Sequence, residues 1–168
     1  MTSTLWAPWR MAYIGGPRSA GCLLCDLPRE THDRENLILH RGPRTYVVMN
    51  RYPYNNGHLM IVPYQHCAEL GQFSADVSVE LIEECDRATR VLRRLFDAEG
   101  FNVGINLGKA AGAGIAEHVH MHVVPRWVGD TNFMPVLADT KVMPDYLEAT
   151  YEKLAPFFHG EGEEGRPC

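Results

Sequence analysis

His118, His120 and His122 alternate with Val119, Met121 and Val123. Successive side chains of a β-strand point to opposite faces, so the pattern predicts three imidazoles on one face and three apolar side chains on the other. Three same-face positions filled by a scarce, near-neutral titrating residue outweigh the plainer reading of a solvated strand. Two chemistries use such a face. Three imidazoles can bind a catalytic metal that ionises water. Alternatively, one neutral imidazole acts as a nucleophile toward an electrophile such as a phosphoryl group. The loop just upstream, Gly108 to Gly114 (GKAAGAG), favours phosphorus chemistry. Its small residues let backbone N–H groups cradle phosphate oxygens, although such turns also simply join strands.

A second candidate site begins at Cys22-Leu23-Leu24-Cys25, the two-residue spacing of a zinc half-site that needs two more ligands. The remaining cysteines, Cys67, Cys85 and Cys168, do not complete the dense spacing of a secreted disulfide scaffold. In a reducing compartment the pair reads as a metal half-site, a redox pair or coincidence. Cys67 and Cys85 read as buried small hydrophobes.

These residues need a scaffold, and the flanking pattern supplies one. TYVVMN from Thr45 and HLMIVP from His58 read as strands joined by the turn-rich RYPYNNG. Leu81, Cys85, Ala88, Leu92 and Leu95, widened by Ile82 and Phe96, form the stripe of an amphipathic helix of about six turns. Glu80, Glu83 and Glu84 suit its N-terminal end, Arg90, Arg93 and Arg94 its C-terminal end, and Gly100 is expected to stop it. Phe101–Leu107 and His118–Pro125 read as two further strands, and Pro144 to about Phe157 as a second helix. The order β-β-α-β-β predicts an α+β domain: an antiparallel sheet with one long packed helix and a C-terminal helix.

At 168 residues and 45% hydrophobic content the chain forms about one domain with a real core, which excludes a disordered tail protein. The expected organisation is an N-terminal arm with the zinc half-site over 1–40, a core over 41–136, a C-terminal helix over 137–158 and a flexible tail over 159–168. Sixteen Lys and Arg against 21 Asp and Glu leave a net charge of −5, so no global field draws the protein to nucleic acid or an anionic membrane. No apolar run approaches the roughly 20 residues of a membrane span, and the N-terminus lacks a signal-peptide core, so a cytoplasmic protein is expected.

The segment His118-Val119-His120-Met121-His122-Val123-Val124 is a complete His-φ-His-φ-His-φ-φ motif, and from about Cys22 to about Val136 the sequence resembles the histidine triad family of nucleotide hydrolases and transferases. LWAPWRMAYI, NRYPYNNGHLMIVP, GFNVGINLG and AEHVHMHVVPRWVGDTNFMP resemble its bacterial branch related to diadenosine tetraphosphate phosphorylases and ATP adenylyltransferases. That resemblance implies nucleotidyl transfer from a diadenosine polyphosphate to phosphate or water. His120 would be the nucleophile that becomes covalently nucleotidylated. His122 would hold phosphate oxygens and assist proton transfer to the leaving group. His58 would line the same site, Asn50 would contact ribose and Asn106 phosphate. Where the hydrolases carry a polar segment before the first histidine, this chain has Gly112, Ala113, Gly114, Ile115 and Ala116, so donors there must be backbone amides.

The resemblance further implies a homodimer and a structural zinc held by Cys22, Cys25, His66 and His118, with His32 and His40 as alternatives to His66. Trp127, directly after the histidine strand, and Tyr54 are candidates to stack on a base, whereas Trp6 and Trp9 read as packing residues. His32, His40 and His159 are otherwise expected to be solvated. A nucleoside phosphoramidate hydrolase is the alternative within the family. Outside it stand a three-histidine metallohydrolase and a nucleotide-binding module without turnover.

Overall fold

The β-rich stretches assemble into one sheet. The computed structural model describes residues 21–130, 143 and 145–159, in which β1 (Ile38–Arg41), β2 (Thr45–Met49), β3 (Leu59–Pro63), β4 (Gly100–Ile105) and β5 (Met121–Arg126) pair antiparallel in the order β1-β2-β3-β5-β4. The expected α+β architecture is therefore present, with one strand more than the pattern predicted. β1 escapes notice because it is four residues long and an irregularity between Ile38 and His40 breaks its alternation. Trp6, Trp9, Cys168, residues 131–136 of the expected core, Pro144 and the tail beyond 159 lie outside the described residues.

β5 begins three residues later than predicted. Its ladder with β3 starts at Ile61 paired with Met121, because beyond it Pro63 has no N–H to offer and its carbonyl instead accepts Nε2–H of His118 at 2.8 Å. Val119 N–H turns to the Cys67 carbonyl. His118 and His120 thus precede the strand, and only His122 lies within it.

Four α-helices lie among the described residues, α1 (Leu23–Asp26), α2 (Asp33–Asn36), α3 (Ala75–Phe96) and α4 (Leu147–Phe158), together with three single 3-10 turns. Leu81, Ala88 and Leu92 bury the predicted stripe of α3, with Cys85, Leu95 and Phe96 packed at its margin, so Cys85 is less buried than expected. Ile82 is 62% exposed, since one residue turns about 100° away from Leu81. α3 ends at Asp97, whose left-handed backbone (φ 50) does what Gly100 was expected to do, while Gly100 opens β4. The helix also starts earlier than the stripe, at Ala75, which moves Glu80 from the helix end to an interior, buried position. Its carboxylate accepts the N–H groups of Arg44 (2.9 Å) and Thr45 (2.8 Å) and the Thr45 hydroxyl, tying α3 to the β1–β2 turn.

Cross-strand rows define the two faces of the sheet. Val47, Ile61, Met121 and Ile105 form one row, and Arg93 of α3 lies over Phe101 on that same side. Val48, Met60 and His122 form the neighbouring row and point to the opposite face. His40 is not solvated: its Nε2 lies 3.1 Å from Arg87, and Arg87 donates to the Phe158 carbonyl, joining β1, α3 and α4.

Candidate functional site

A cavity of about 390 Å³ opens on the face of the sheet away from α3, with Val48, Met60 and His122 in its floor and His120 beside them. The loop of residues 50–58 forms one side. Gly57 adopts φ +75, and a Cβ there would come within 2.9 Å of Leu92, so the loop can press against α3 only with glycine at this position. Asn55 holds the loop from within, donating to the Pro125 carbonyl (3.1 Å) and to Asp130 (3.0 Å) and accepting the His58 N–H.

Hydrogen bonds fix the proton positions on the imidazoles. A backbone carbonyl carries no proton, so the 2.8 Å contact between His120 Nδ1 and the His118 carbonyl requires a proton on Nδ1. The lone pair of His120 therefore sits on Nε2. Burial lowers the pKa of His120 against the opposing pull of that carbonyl, which keeps the ring neutral and nucleophilic near pH 7. His58 Nδ1 accepts the Tyr54 N–H at 3.1 Å, so its proton lies on Nε2 and is donated to His122 Nδ1 at 2.9 Å. His122 in turn carries its proton on Nε2. Its ring stands edge-on to His120, with centroids 4.9 Å apart. An imidazole with a free-base Nε2 and one with an Nε2–H thus line the same cavity, an arrangement suited to nucleophilic attack with proton donation.

The first histidine of the motif faces elsewhere. His118 gives Nε2–H to Pro63, leaving the Nδ1 lone pair 3.3 Å from Cys22 Sγ, 3.4 Å from Cys25 Sγ and 3.3 Å from His66 Nδ1. Cys25 Sγ is 3.3 Å from His66 Nδ1, and the four ligand atoms lie within 4.8 Å of one another. A tetrahedral zinc with N and S ligands separates them by about 3.3 to 3.8 Å, so the two thiols and two imidazoles fit a closed Cys₂His₂ centre. Burial and the neighbouring Cys22 push the Cys25 thiol up to about 11, a cost that a bound cation reverses by favouring thiolate. His66 is the histidine brought to the cysteines. His40 is engaged with Arg87 instead.

Asn50 lines the cavity, its Oδ1 accepting the Tyr52 N–H at 2.9 Å, and so do Gly114 and Tyr54, the latter with its ring 4.6 Å from His58. Asn106, Gly112 and Trp127 are not among the lining residues. Gly112, at φ +83, closes the turn Lys109–Ala111. Trp127 donates Nε1–H to the Phe96 carbonyl at 2.9 Å, satisfying the end of α3 rather than facing the cavity. Sequence reasoning missed one wall altogether, made of Leu23, Leu24, Leu27 and Glu30. The signal was available: residues three apart share a helical face, so Cys22 and Cys25 on one side leave the leucines between them for the other.

A model of the HIT (histidine triad) domain matches residues 32–128. The AP-4-A phosphorylase of Mycobacterium tuberculosis is 42% identical over 160 residues, covering 90% of this chain and 82% of that protein. The asymmetrical bis(5'-nucleosyl)-tetraphosphatase of Schizosaccharomyces pombe is 26% identical over 93 residues, 55% of this chain and 50% of that one. A zinc-bound histidine triad protein from Mycobacterium smegmatis superposes with a TM-score of 0.67 at 25% identity, over 83% of this chain and 94% of that one. The chain belongs to the HIT family.

Proposed function

We propose that the protein transfers a nucleotidyl group from diadenosine tetraphosphate to inorganic phosphate through a nucleotidyl-His120 intermediate. The observation that carries this reading is the 2.8 Å contact of His120 Nδ1 with the His118 carbonyl, which places the proton on Nδ1 and leaves the lone pair on Nε2 of a ring that lines the cavity beside His122. Nε2 attacks the α-phosphorus, the bridging P–O bond breaks and ATP leaves. His122 Nε2–H hydrogen-bonds the departing oxygen and supplies its proton. A phosphate oxygen then attacks the same phosphorus, the N–P bond breaks and ADP leaves. Splitting the transfer in two lets the acceptor enter after the first leaving group has gone.

Asn50 suits the ribose and Gly114 the phosphates, while Leu27, Val48 and Met60 give the base an apolar surface. Phosphate as acceptor rests on the 42% identity to the M. tuberculosis phosphorylase and on the Gly112–Ala116 stretch, which has no polar side chain to activate water. Asn106, Gly112 and Trp127 are left outside this assignment by their positions. Zinc at Cys22, Cys25, His66 and His118 would be structural, since all four positions are filled by protein ligands; it would brace the arm and take no part in bond making.

Two further expectations belong to this reading. The edge strand β4 leaves Asn102, Val103 and Gly104 exposed, which suits pairing with a second copy. No helix among the described residues is long and apolar enough to cross a membrane, in keeping with a cytoplasmic site of action.

The test is mass spectrometry of protein quenched with diadenosine tetraphosphate, together with product analysis. An AMP-mass adduct on His120 that is absent from His120→Asn, with phosphate shifting products from AMP plus ATP to ADP plus ATP, supports the proposal. Single-turnover cleavage without an adduct and with full activity in His120→Asn sinks it. AMP plus ATP at saturating phosphate makes water the acceptor.

A further inference from the structure

The segment from Cys22 to Glu30 precedes the HIT match at residue 32, yet it does two things at once. Cys22 and Cys25 face the metal cluster, while Leu23, Leu24, Leu27 and Glu30 line the nucleotide cavity. Metal site and cavity wall are opposite sides of one helical turn, α1. Its other fastenings are Tyr46, whose buried hydroxyl donates to the Leu24 carbonyl at 2.7 Å, and Arg41, which donates to the carbonyls of Pro28 (2.6 Å) and Glu30 (2.7 Å). Those bonds hold the middle and the end of the segment. The cysteines hold its beginning, and Leu23, 44% exposed, is carried there by the turn they start, in which the Leu27 N–H bonds the Leu23 carbonyl.

We infer that metal binding at Cys22, Cys25, His66 and His118 sets the affinity of the cavity for a nucleoside monophosphate, by fixing Leu23 and Leu27 as its wall. The inference rests on the nucleotide reading of the cavity proposed above. Coupling between two binding sites is reciprocal: whatever factor zinc adds to AMP affinity, AMP must add to zinc affinity. Because Tyr46 and Arg41 retain part of the wall without metal, the expected factor is about tenfold, toward the lower end of typical couplings.

The experiment uses the full chain loaded with zinc. AMP binding is measured by calorimetry, and zinc affinity by competition with a chromogenic chelator, with and without saturating AMP. Zinc held about tenfold more tightly in the presence of AMP is the expected result. Leu23→Ala and Leu27→Ala, which keep all four ligands, are each expected to bind zinc and to bring the factor toward one. Leu23 is exposed enough for its variant to fold even if Leu27→Ala does not. Failure of zinc-loaded wild type to bind AMP overturns the nucleotide reading itself. AMP binding that leaves zinc affinity unchanged overturns the coupling alone, and so does a factor of equal size in wild type and Leu23→Ala.

Discussion

His120 donates its Nδ1–H to the main-chain carbonyl of His118, 2.8 Å away, while the ring of His118 turns its Nδ1 to Cys22, Cys25 and His66. One residue thus serves two places: in the proposed mechanism its backbone orients the nucleophile, and its side chain completes the four ligands that could hold a metal. Replacing the ring leaves the carbonyl in place. His118→Ala is therefore expected to lose stoichiometric zinc and about 10- to 100-fold in kcat, the usual cost of removing a supporting group. His120→Asn is expected to keep zinc and lose at least about 10³-fold. Metal analysis alongside steady-state kinetics separates the two. Similar kinetic losses with zinc retained in both would contradict the division of roles.

The path Tyr54 N–H, His58, His122 sets which nitrogen of His122 bears the proton. His58→Phe removes the donor to His122 Nδ1, whereas the amide of His58→Gln can still supply an N–H. A kcat loss of about 10- to 100-fold in the Phe variant, largely recovered in the Gln variant, is expected. Equal losses in both would show that His58 matters for packing alone.

Glu80 gives the fold a pH dependence of known sign. Burial by itself would raise its pKa, but the N–H groups of Arg44 and Thr45 and the Thr45 hydroxyl outweigh burial and hold it below the ordinary value of 4.5. A folded-state pKa below the unfolded one contributes stability that is fully present above pH 4.5 and is lost as the pH falls through the folded value. Glu80→Gln should cost about 1–3 kcal/mol at pH 7. Its deficit relative to wild type, followed by urea unfolding, should shrink below pH 4.5. A deficit that does not change with pH would contradict the assignment.

Val103 is 48% exposed on the edge strand β4, on the side of the sheet that carries α3. If two copies join through this edge, Val103→Asp should place carboxylates in the interface and shift sedimentation from dimer toward monomer. A dimer unchanged in the variant would locate the interface elsewhere.

The histidine alternation and the CxxC spacing were legible because both depend on local periodicity. The stripe of Leu81, Ala88 and Leu92 was legible for the same reason. What the pattern could not show is where a ladder stops. His118 and His120 share strand-like alternation with His122, yet Pro63 ends the pairing before it reaches them, and this is decided by a residue 55 positions away. The Trp127 bond was hidden by a related limit, since adjacency to the histidine segment does not reveal that the Phe96 carbonyl needs a donor. Glu80 looked like a helix-end charge and is a buried acceptor, because the helix extends five residues before it.

Cys22 and His118 stand 96 positions apart in the chain, and the four candidate metal ligands include both. A ribosome adding roughly 5–20 residues per second exposes the two thiols some 5–20 s before their last partner is made. His118 then reaches them only once β5 has joined β3. On the proposed zinc reading, capture of a metal by all four ligands would therefore mark a chain whose histidine segment has already found its place.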